Sequence, residues 1–308
     1  MNETPTKEEL VAGLVGLLTV EKRAADIFAG PPQVDGIGRV FGGQVLAQAL
    51  QAAQSTVTDG KRAHSLHAYF LRGGREGAAI EYRIERDIDG LSFANRRVVA
   101  AQENDDGIAV PILNLTASFQ LPEDGLEHID SPMPDVPQPD DLRSDMAQRR
   151  EIAEQWGGRL SDAQRRLMLR PRPIEMRTID RLHWMSSEPR EPRAHSWFRV
   201  AAPITGSDDT PELHRAIITY ASDYTLLGTS ALPHGLSWMR NELVGASLDH
   251  ALWFHRDARA DEWLLYATDA PWGGGGRGFN RGRIFNIAGE LVASVAQEGM
   301  MRKRVAKG

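Results

Sequence analysis

Alternation of hydrophobic and polar residues in the first part of the chain predicts a series of antiparallel strands. One predicted helix precedes these strands in the sequence. In Ile80–Arg86, apolar or aromatic residues alternate with charged ones, as expected for a strand with one buried face. Asp89-Gly90 is a hairpin turn signal after this run. Gly43–Ala53 is rich in Ala, Leu, Gln and Val, which favour a helix. The strands predicted here are Leu66–Leu71, Ile80–Arg86, Phe93–Ala101 and Ile112–Gln120.

The last third of the chain repeats this pattern, and short matches link the two halves. Four pairs of segments resemble each other in the same order and at nearly constant separation, which indicates an internal duplication. The pairs are Phe41–Ala47 with Tyr220–Leu226, Tyr69–Arg72 with Trp253–Arg256, Ser92–Arg96 with Gly278–Arg281, and Leu115–Phe119 with Leu291–Val295. The strands predicted in the second half are Ala251–His255, Glu262–Ala267, Gly278–Ile287 and Leu291–Gly299, with a tight turn at Asn286–Gly289.

This duplication predicts an α+β protein in which two antiparallel sheets each wrap a central helix and join into one extended sheet. The domain division that we predict is 1–120, 121–190 and 191–308. The middle segment is a connector, because Leu121–Asp141 is rich in proline and aspartate. Its helix-compatible parts, Leu142–Trp156 and Ser161–Leu169, are expected across the outside of the sheet. Thr6 and Glu9 have the spacing of a capping box at the start of an N-terminal helix.

Composition excludes several classes of protein. The 308 residues are 41% hydrophobic and 25% charged, as in soluble globular proteins. The net charge of −6 with interspersed signs argues against a nucleic-acid partner. Without cysteine, there is no disulfide, thiolate metal site or cysteine nucleophile. Val11–Val20 is too short to cross a bilayer and follows acidic residues, so we expect no membrane insertion. Ala306–Gly308 lacks the peroxisomal signal, and the expected location is the cytoplasm.

Common catalytic motifs are missing. No serine has the Gly-x-Ser-x-Gly spacing of a nucleophile elbow. Gly273–Gly278 lacks the Lys-Ser/Thr of a phosphate loop and suits a hairpin loop, although Arg277 beside it leaves a phosphate contact open. His64 and His67 are three apart, and on a strand they would face opposite sides, so we predict no metal and no cofactor. His64 is interpreted as a sheet-edge or pocket-lining residue.

Several segments together resemble the type II acyl-CoA thioesterases, whose fold is the tandem (double) hot-dog. The resemblance runs from about Leu14 to Arg302 and is weakest in the connector. The segments are Val40–Val45, His64–Gly74, Thr116–Gln120, Tyr220–Asp223, Leu248–Arg256, Arg277–Phe279 and Gln297–Arg302.

The resemblance implies hydrolysis of medium- and long-chain fatty acyl-CoA by a water held by aspartate, threonine or serine, and glutamine. Asp223 and Gln297 match two of these positions. The third, usually threonine, is Ser247 here, which keeps the hydroxyl but has a freer χ1 angle than a β-branched residue. The expected partner is acyl-CoA, and homo-oligomers are expected from exposed sheet edges.

Alignment of the two halves puts Asp223 at the start of the second central helix, where Gln44 stands in the first. A carboxylate at a helix N-terminus is favoured in its charged form, so Asp223 would begin as a base. A simple helix N-cap is the competing interpretation. Without the resemblance, Ser247 suits a turn and Gln297 a solvent-facing strand position.

The substrate contacts remain open from sequence. Oxyanion stabilisation by backbone N–H groups at a helix start could come from Gly42-Gly43 or from Ala221-Ser222. Gln44 is a candidate for binding substrate or holding structure. For the CoA phosphates the candidates are Arg277 with Gly278, and Arg72, since guanidinium pairs well with phosphate.

Two other functions compete with the hydrolase. A hot-dog enoyl-CoA hydratase would resemble an Asp-x-x-x-x-His pattern, but residue 228 is glycine. A non-catalytic acyl-CoA sensor would keep the fold without the activated water, and Ser247 is the only residue that hints at it.

Overall fold

The computed structural model describes residues 4–33, 38–179, 182, 188–236, 238 and 240–304. Five α-helices and thirteen strands lie in these ranges. The helices are α1 (Lys7–Leu18), α2 (Gly42–Gln54), α3 (Asp145–Trp156), α4 (Asp162–Leu169) and α5 (Pro211–Ser222). The strands are β1 (Glu21–Ala24), β2 (Ile27–Gly30), β3 (Arg62–Phe70), β4 (Ile80–Asp89), β5 (Phe93–Glu103), β6 (Ala109–Gln120), β7 (Ile174–Thr178), β8 (Arg193–Val200), β9 (Leu243–Ser247), β10 (Asp249–Phe254), β11 (Leu264–Gly274), β12 (Arg277–Asn286) and β13 (Leu291–Lys303).

All thirteen strands belong to one antiparallel sheet. Its order is β1-β2-β4-β5-β6-β3-β10-β13-β12-β11-β8-β7, and β9 pairs with β13 beside this path. The halves meet where β3 pairs with β10, with Leu66 opposite Leu252. Outward from this seam the orders match, with β6, β5 and β4 on one side and β13, β12 and β11 on the other. The predicted single extended sheet built from two repeats is confirmed.

The central helices α2 and α5 run antiparallel to each other over the same core. The side chain of Gln54, at the end of α2, donates to the carbonyl of Glu212, at the start of α5. At the other end, a Cβ on Gly43 would lie 2.4 Å from the backbone oxygen of Tyr220. This helix contact therefore requires glycine at position 43. One buried hydrophobic cluster includes residues of both helices and both halves of the sheet.

The predicted position of Asp223 at a helix start is wrong. Helix α5 begins after Thr210, whose side chain accepts from Leu213 N–H, with Pro211 in the first turn, and it ends at Ser222 with Asp223 as its C-cap. The match between Phe41–Ala47 and Tyr220–Leu226 thus compares opposite ends of the two helices. Because α2 and α5 are antiparallel, these ends meet, and Asp223 lies beside the N-terminus of α2 instead.

The connector covers the outer face of the second half of the sheet. The indole N–H of Trp197 donates to the carbonyl of Pro137 over 2.9 Å. Met133, Val136 and Leu142 pack on a buried cluster that contains Trp197 and Phe285. This agrees with the expected placement outside the sheet for Met133–Leu142. The start of α3 lies on the inner side instead, because Asp145 accepts from the hydroxyl of Thr178, which pairs with Ser196 on the same face as the core residue Phe198. Within 121–190, α3 and α4 form as predicted but β7, which pairs with β8, was not predicted. The three-part domain division stays a prediction.

The N-terminal helix begins as predicted, since Thr6 and Glu9 form a reciprocal capping box. None of the helices in the described ranges is long and apolar enough to span a membrane.

Candidate active site

The carboxylate of Asp223 lies where α5 ends, α2 begins and the inner face of β13 passes. Its Oδ1 accepts from the hydroxyl of Ser247 over 3.3 Å and from the amide Nε2 of Gln297 over 3.1 Å. The backbone N–H of Gly43 also donates to the carboxylate. The three residues predicted as catalytic are therefore brought together around one carboxylate oxygen.

Strand pairing places the hydroxyl and the amide beside this carboxylate. Ser247 ends β9 and pairs with Gly299 of β13. Gln297 lies two residues earlier on the same strand, so Gln297 and Gly299 face the same side of the sheet. A Cβ at Gly299 would lie 2.3 Å from Leu227, and glycine lets the segment after α5 lie close to β13. The site thus depends on close approach of backbone from three elements.

Burial raises the pKa of Asp223 from its ordinary value of 3.8 to about 6. Hydrogen bonds from Gln297, Ser247 and the Gly43 N–H act in the opposite direction, because they stabilise the charged form. Asp223 as a whole residue is half-buried. It is ionised near neutral pH and close enough in pKa to accept a proton during a reaction.

Behind the carboxylate lies a buried polar chain that sequence reasoning missed. Nε2 of His250 is 2.9 Å from the hydroxyl of Ser222, which donates to the carbonyl of Thr219 over 2.8 Å. Burial lowers the pKa of His250 to about 4, and a polar contact with Gln297 opposes this shift. His250 is therefore neutral near pH 7. The signal in the sequence was a histidine among the otherwise apolar inward positions of β10.

Three aromatic rings cluster where α5 ends and α2 begins. The ring of Phe41 lies 5.1 Å from that of Tyr220 and 5.0 Å from that of Tyr224, and the two tyrosine rings are 5.5 Å apart. The guanidinium of Arg172 lies 6.0 Å from the centre of the Tyr224 ring. The three rings thus form an apolar wall with polar tips at the junction of α2 and α5.

The start of α2 contributes backbone to the site more than side chains. A Cβ on Gly42 would come within 2.6 Å of Oδ2 of Asp223, so glycine is required for the carboxylate to lie there. Gln44 is fully buried, and its amide donates to the carbonyl of Pro31 over 3.2 Å. Its side chain holds the chain that precedes α2 and is not among the hydrogen-bond partners of Asp223.

The remaining predicted substrate contacts lie apart from Asp223. His64 is on the outer side of the sheet, where its Nε2 is 2.8 Å from the hydroxyl of Ser118. It stands six residues before Phe70, the residue of β3 next to Gly42, which is about 20 Å along a strand. Arg72 donates to the carbonyl of Pro111. These positions give no contact with the carboxylate.

Arg277 and Gly278 lie at the same end of the sheet as Asp223 but toward the protein surface. Arg277 is half exposed and pairs with Glu298 over 3.0 Å. Gly278 packs on Ser230, where a Cβ would come within 2.2 Å of the hydroxyl oxygen. Gly278 therefore has a packing role, while the guanidinium of Arg277 is accessible to an anionic group.

Of the two helix ends considered for an oxyanion, only the start of α2 presents N–H groups. Ala221 and Ser222 end α5, where carbonyl groups point outward, so that candidate is wrong. No cluster of three or more His, Asp or Glu side chains suited to a metal ion occurs in the described ranges.

A carboxylate, a hydroxyl and an amide at the meeting of two helices, inside a sheet built from two repeats, define a double hot-dog hydrolase. Family models agree: one for the acyl-CoA thioesterase N-terminal domain matches residues 30–120, and one for the C-terminal domain matches residues 137–301. The chain belongs to the acyl-CoA thioesterase family, and its activity is the hydrolysis of acyl-CoA thioesters.

Individual relatives support this assignment over nearly the full chain. Human acyl-coenzyme A thioesterase 8 is 34% identical over 291 residues, which cover 93% of this chain and 88% of that protein. Acyl-CoA thioesterase 2 of Haemophilus influenzae is 32% identical, covering 96% of this chain and 98% of that protein. The crystal structure of an acyl-CoA thioesterase II from Mycobacterium marinum, 37% identical, has a TM-score of 0.72 and covers 94% of this chain and 98% of that one.

Proposed function

We propose that this chain hydrolyses medium- and long-chain fatty acyl-CoA by direct attack of a water held by Asp223, Ser247 and Gln297. The observation that carries the proposal is the convergence of Ser247 Oγ and Gln297 Nε2 on one oxygen of Asp223, at 3.3 and 3.1 Å. A water at this point would be in reach of one base and two donors. Three groups held by three different elements orient it better than one residue could.

The chemistry needs one base and no covalent intermediate. The water oxygen attacks the thioester carbonyl carbon while Asp223 accepts a proton from it. The C–S bond then breaks, and the proton returns from Asp223 to the departing CoA thiolate, which leaves as free thiol together with the fatty acid. A base with a pKa of about 6 is ionised at pH 7 and still basic enough to take a proton.

The start of α2 supports stabilisation of the oxyanion. Backbone N–H groups at a helix N-terminus favour a developing negative charge. The Gly43 N–H donates to the carboxylate, which supports a role for this helix start beside the reacting atoms. The glycines at 42 and 43 let this helix start lie against Asp223 and against the end of α5.

The aromatic wall supports a fatty acyl substrate. Phe41 and Tyr224 are only partly buried, pack on the buried ring of Tyr220, and offer apolar surface where α5 ends, at which the first carbons of an acyl chain would bind. Burial of each methylene group contributes about 0.8 kcal/mol to binding. Affinity should therefore rise with acyl length until the apolar surface is covered. Arg277, half exposed at the start of β12, suits a phosphate of CoA.

The proposal is tested by release of free CoA thiol from octanoyl- and palmitoyl-CoA. Wild-type kcat/KM should be constant above pH 7 and fall tenfold per unit below pH about 6, as Asp223 takes up a proton. Asp223→Asn should lower kcat at least a hundredfold, because base catalysis typically contributes about 10²–10⁴-fold. Exposed Asp124→Asn is the matched control and should turn over normally. Normal turnover by Asp223→Asn would reject the mechanism.

The thiol-release assay and a second assay with crotonyl-CoA separate the two alternatives. A sensor would bind acyl-CoA without releasing thiol, and a hydratase would consume the enoyl absorbance of crotonyl-CoA. The thioesterase assignment of the chain favours neither. Location in the cytoplasm and association into homo-oligomers remain predictions, the second supported by the exposed edge strand β1.

A further inference from the structure

A buried histidine stands next to the proposed catalytic residues without a role in the reaction. His250 is 0% exposed and lies on the inward face of β10. In the duplicated fold, the equivalent position of the first half is Leu66, which is equally buried. A polar side chain in a core position must be hydrogen-bonded to offset its lost hydration. The imidazole in the second repeat therefore needs hydrogen-bond partners that the leucine in the first repeat does not need.

Strand register places His250 directly opposite Gln297. Strands β10 and β13 pair with Ala251 facing Ala296, so the preceding residue of β10 faces the following residue of β13. Both side chains point inward and both are fully buried. The Cβ atoms of such cross-strand neighbours lie roughly 5 Å apart. The imidazole and the amide are thus in contact range of each other.

One atom of each side chain has no hydrogen-bond partner in the described part of the chain. They are Nδ1 of His250 and Oε1 of Gln297, both shielded from solvent. The opposite ends of both side chains are occupied, since Nε2 of His250 meets Ser222 and Nε2 of Gln297 donates to Asp223. A hydrogen bond between Nδ1 and Oε1 would satisfy both atoms.

Proton positions decide how they interact. A neutral imidazole carries one N–H and one acceptor nitrogen. The Ser222 hydroxyl carries one hydrogen, and it satisfies Nε2 in either tautomer. With the ring hydrogen on Nε2, the hydroxyl accepts from the ring and donates to the Thr219 carbonyl; with it on Nδ1, the hydroxyl turns its hydrogen from that carbonyl to Nε2. The Gln297 carbonyl oxygen can only accept. Only the tautomer with its hydrogen on Nδ1 satisfies both buried side chains.

We propose that His250 is a positioning residue whose Nδ1–H donates to Oε1 of Gln297 and fixes the amide with Nε2 toward Asp223. An amide rotated by half a turn would put its oxygen against the carboxylate and remove the donor to the water. The two orientations have almost the same shape, so packing alone cannot choose between them. This inference rests on the proposed mechanism and assigns the residue that orients its amide.

Two isosteric variants test the inference. In His250→Asn the side-chain N–H falls near the position of Nδ1, while in His250→Gln it falls near that of Nε2. His250→Asn should keep most of kcat. His250→Gln should lose roughly tenfold or more in kcat with little change in KM, as a misplaced group does. Its acidic limb should also move to higher pH, because the Gln297 hydrogen bond that lowers the pKa of Asp223 is weakened.

A double mutant shows whether His250 acts through Gln297. In a Gln297→Leu background, His250→Gln should change kcat by no more than about twofold, because residues of one network are not additive. A further tenfold loss would overturn the inference, as would equal activity and an unchanged acidic limb in both single variants. Normal turnover by Asp223→Asn would instead reject the hydrolysis mechanism, so the two failures are distinguishable.

The wild-type protein provides a test that needs no folded variant of His250. Nitrogen-15 spectra of histidine-labelled protein distinguish the two neutral tautomers, and burial lowers the pKa of His250 to about 4, so that its ring stays neutral at pH 5. Its ring should carry the hydrogen on Nδ1 at pH 7. A hydrogen on Nε2 would refute the proposed donor.

Discussion

At the residue scale, Asp223 is held between effects of opposite sign. It caps the C-terminus of α5, where the helix dipole disfavours negative charge. The neighbouring start of α2 compensates, since the Gly43 N–H donates to the carboxylate. Desolvation is the largest effect, and it raises the pKa to about 6. The carboxylate is therefore ionised at a cost to the native state, as expected of a base that must remain reactive.

This cost predicts that Asp223→Asn stabilises the protein in a pH-dependent way. The native pKa of about 6 exceeds the ordinary 3.8, so the native state binds the proton more tightly than the unfolded chain does. The ionised carboxylate then destabilises the native state fully above pH 6 and not at all below pH 4. Two pKa units correspond to at most about 3 kcal/mol, and partial exposure reduces this value.

We therefore expect Asp223→Asn to raise the free energy of unfolding by about 1–2 kcal/mol at pH 8, with no difference from wild type at pH 4. Denaturant unfolding at the two pH values measures this. Exposed Asp124→Asn serves as the control and should change little at either pH. An equal effect of Asp223→Asn at both pH values would show that charge burial is not its cause.

At the element scale, the site depends on the close contact between α2 and α5. The closest point is Gly43 against the Tyr220 carbonyl. Oxygen of the backbone cannot move aside as a flexible side chain can. A side chain at position 43 would push the start of α2 away from the end of α5, and Asp223 would lose its N–H donor.

Gly43→Ala should consequently lower both stability and activity. Overpacking costs about 1–3 kcal/mol, which exceeds the gain in helix propensity of below about 1 kcal/mol. Gly13→Ala is the matched control, since Gly13 lies within α1 and a Cβ there meets nothing within 4 Å. That control should raise the free energy of unfolding by about 0.5–1 kcal/mol. If both variants changed stability in the same direction, the proposed steric contact would be absent.

The helix contact also shows what the sequence could reveal. Strands β3 to β6 and β10 to β13 were predicted because their alternation or apolar runs were clear. The repeat match at Tyr220–Asp223 predicts that α5 begins there, which is wrong. A better local signal for the start of α5 lies earlier in the chain. Thr210 and Pro211, followed by Glu212, have the cap, first-turn proline and acidic residue of a helix start.

Other parts of the molecule had no local signal strong enough to find them. Strands β1, β2 and β9 are short and owe their place to pairing with neighbours, which is a tertiary effect. Asp223, Ser247 and Gln297 were found through family resemblance, since each residue type alone suits a cap, a turn or a surface position. His250 was overlooked because a single histidine on a strand carries no pattern.

At the scale of the whole molecule, the two repeats share one core and one sheet. The seam between β3 and β10 buries Leu66 and Leu252 opposite each other. Helix α2 of the first repeat packs on α5 of the second, and their residues belong to the same hydrophobic cluster. Separation of the halves would expose a sheet edge and a helix face at once.

This architecture predicts that the two repeats unfold together. All seven tryptophans lie at position 156 or later, so tryptophan fluorescence reports mainly on the connector and second repeat, with Trp253 at the seam 5.0 Å from the ring of His67. Far-ultraviolet circular dichroism reports on the whole chain. If the shared core and seam make the repeats one cooperative unit, both signals should follow the same denaturant curve with one midpoint. Independent repeats would give a dichroism change outside the fluorescence transition.

Leu66→Ala at the seam, in a repeat without tryptophan, should then shift the fluorescence midpoint as much as the dichroism midpoint, because the loss of about 2–5 kcal/mol destabilises the whole cooperative unit. A shift confined to the dichroism signal would show that the duplicated halves fold separately.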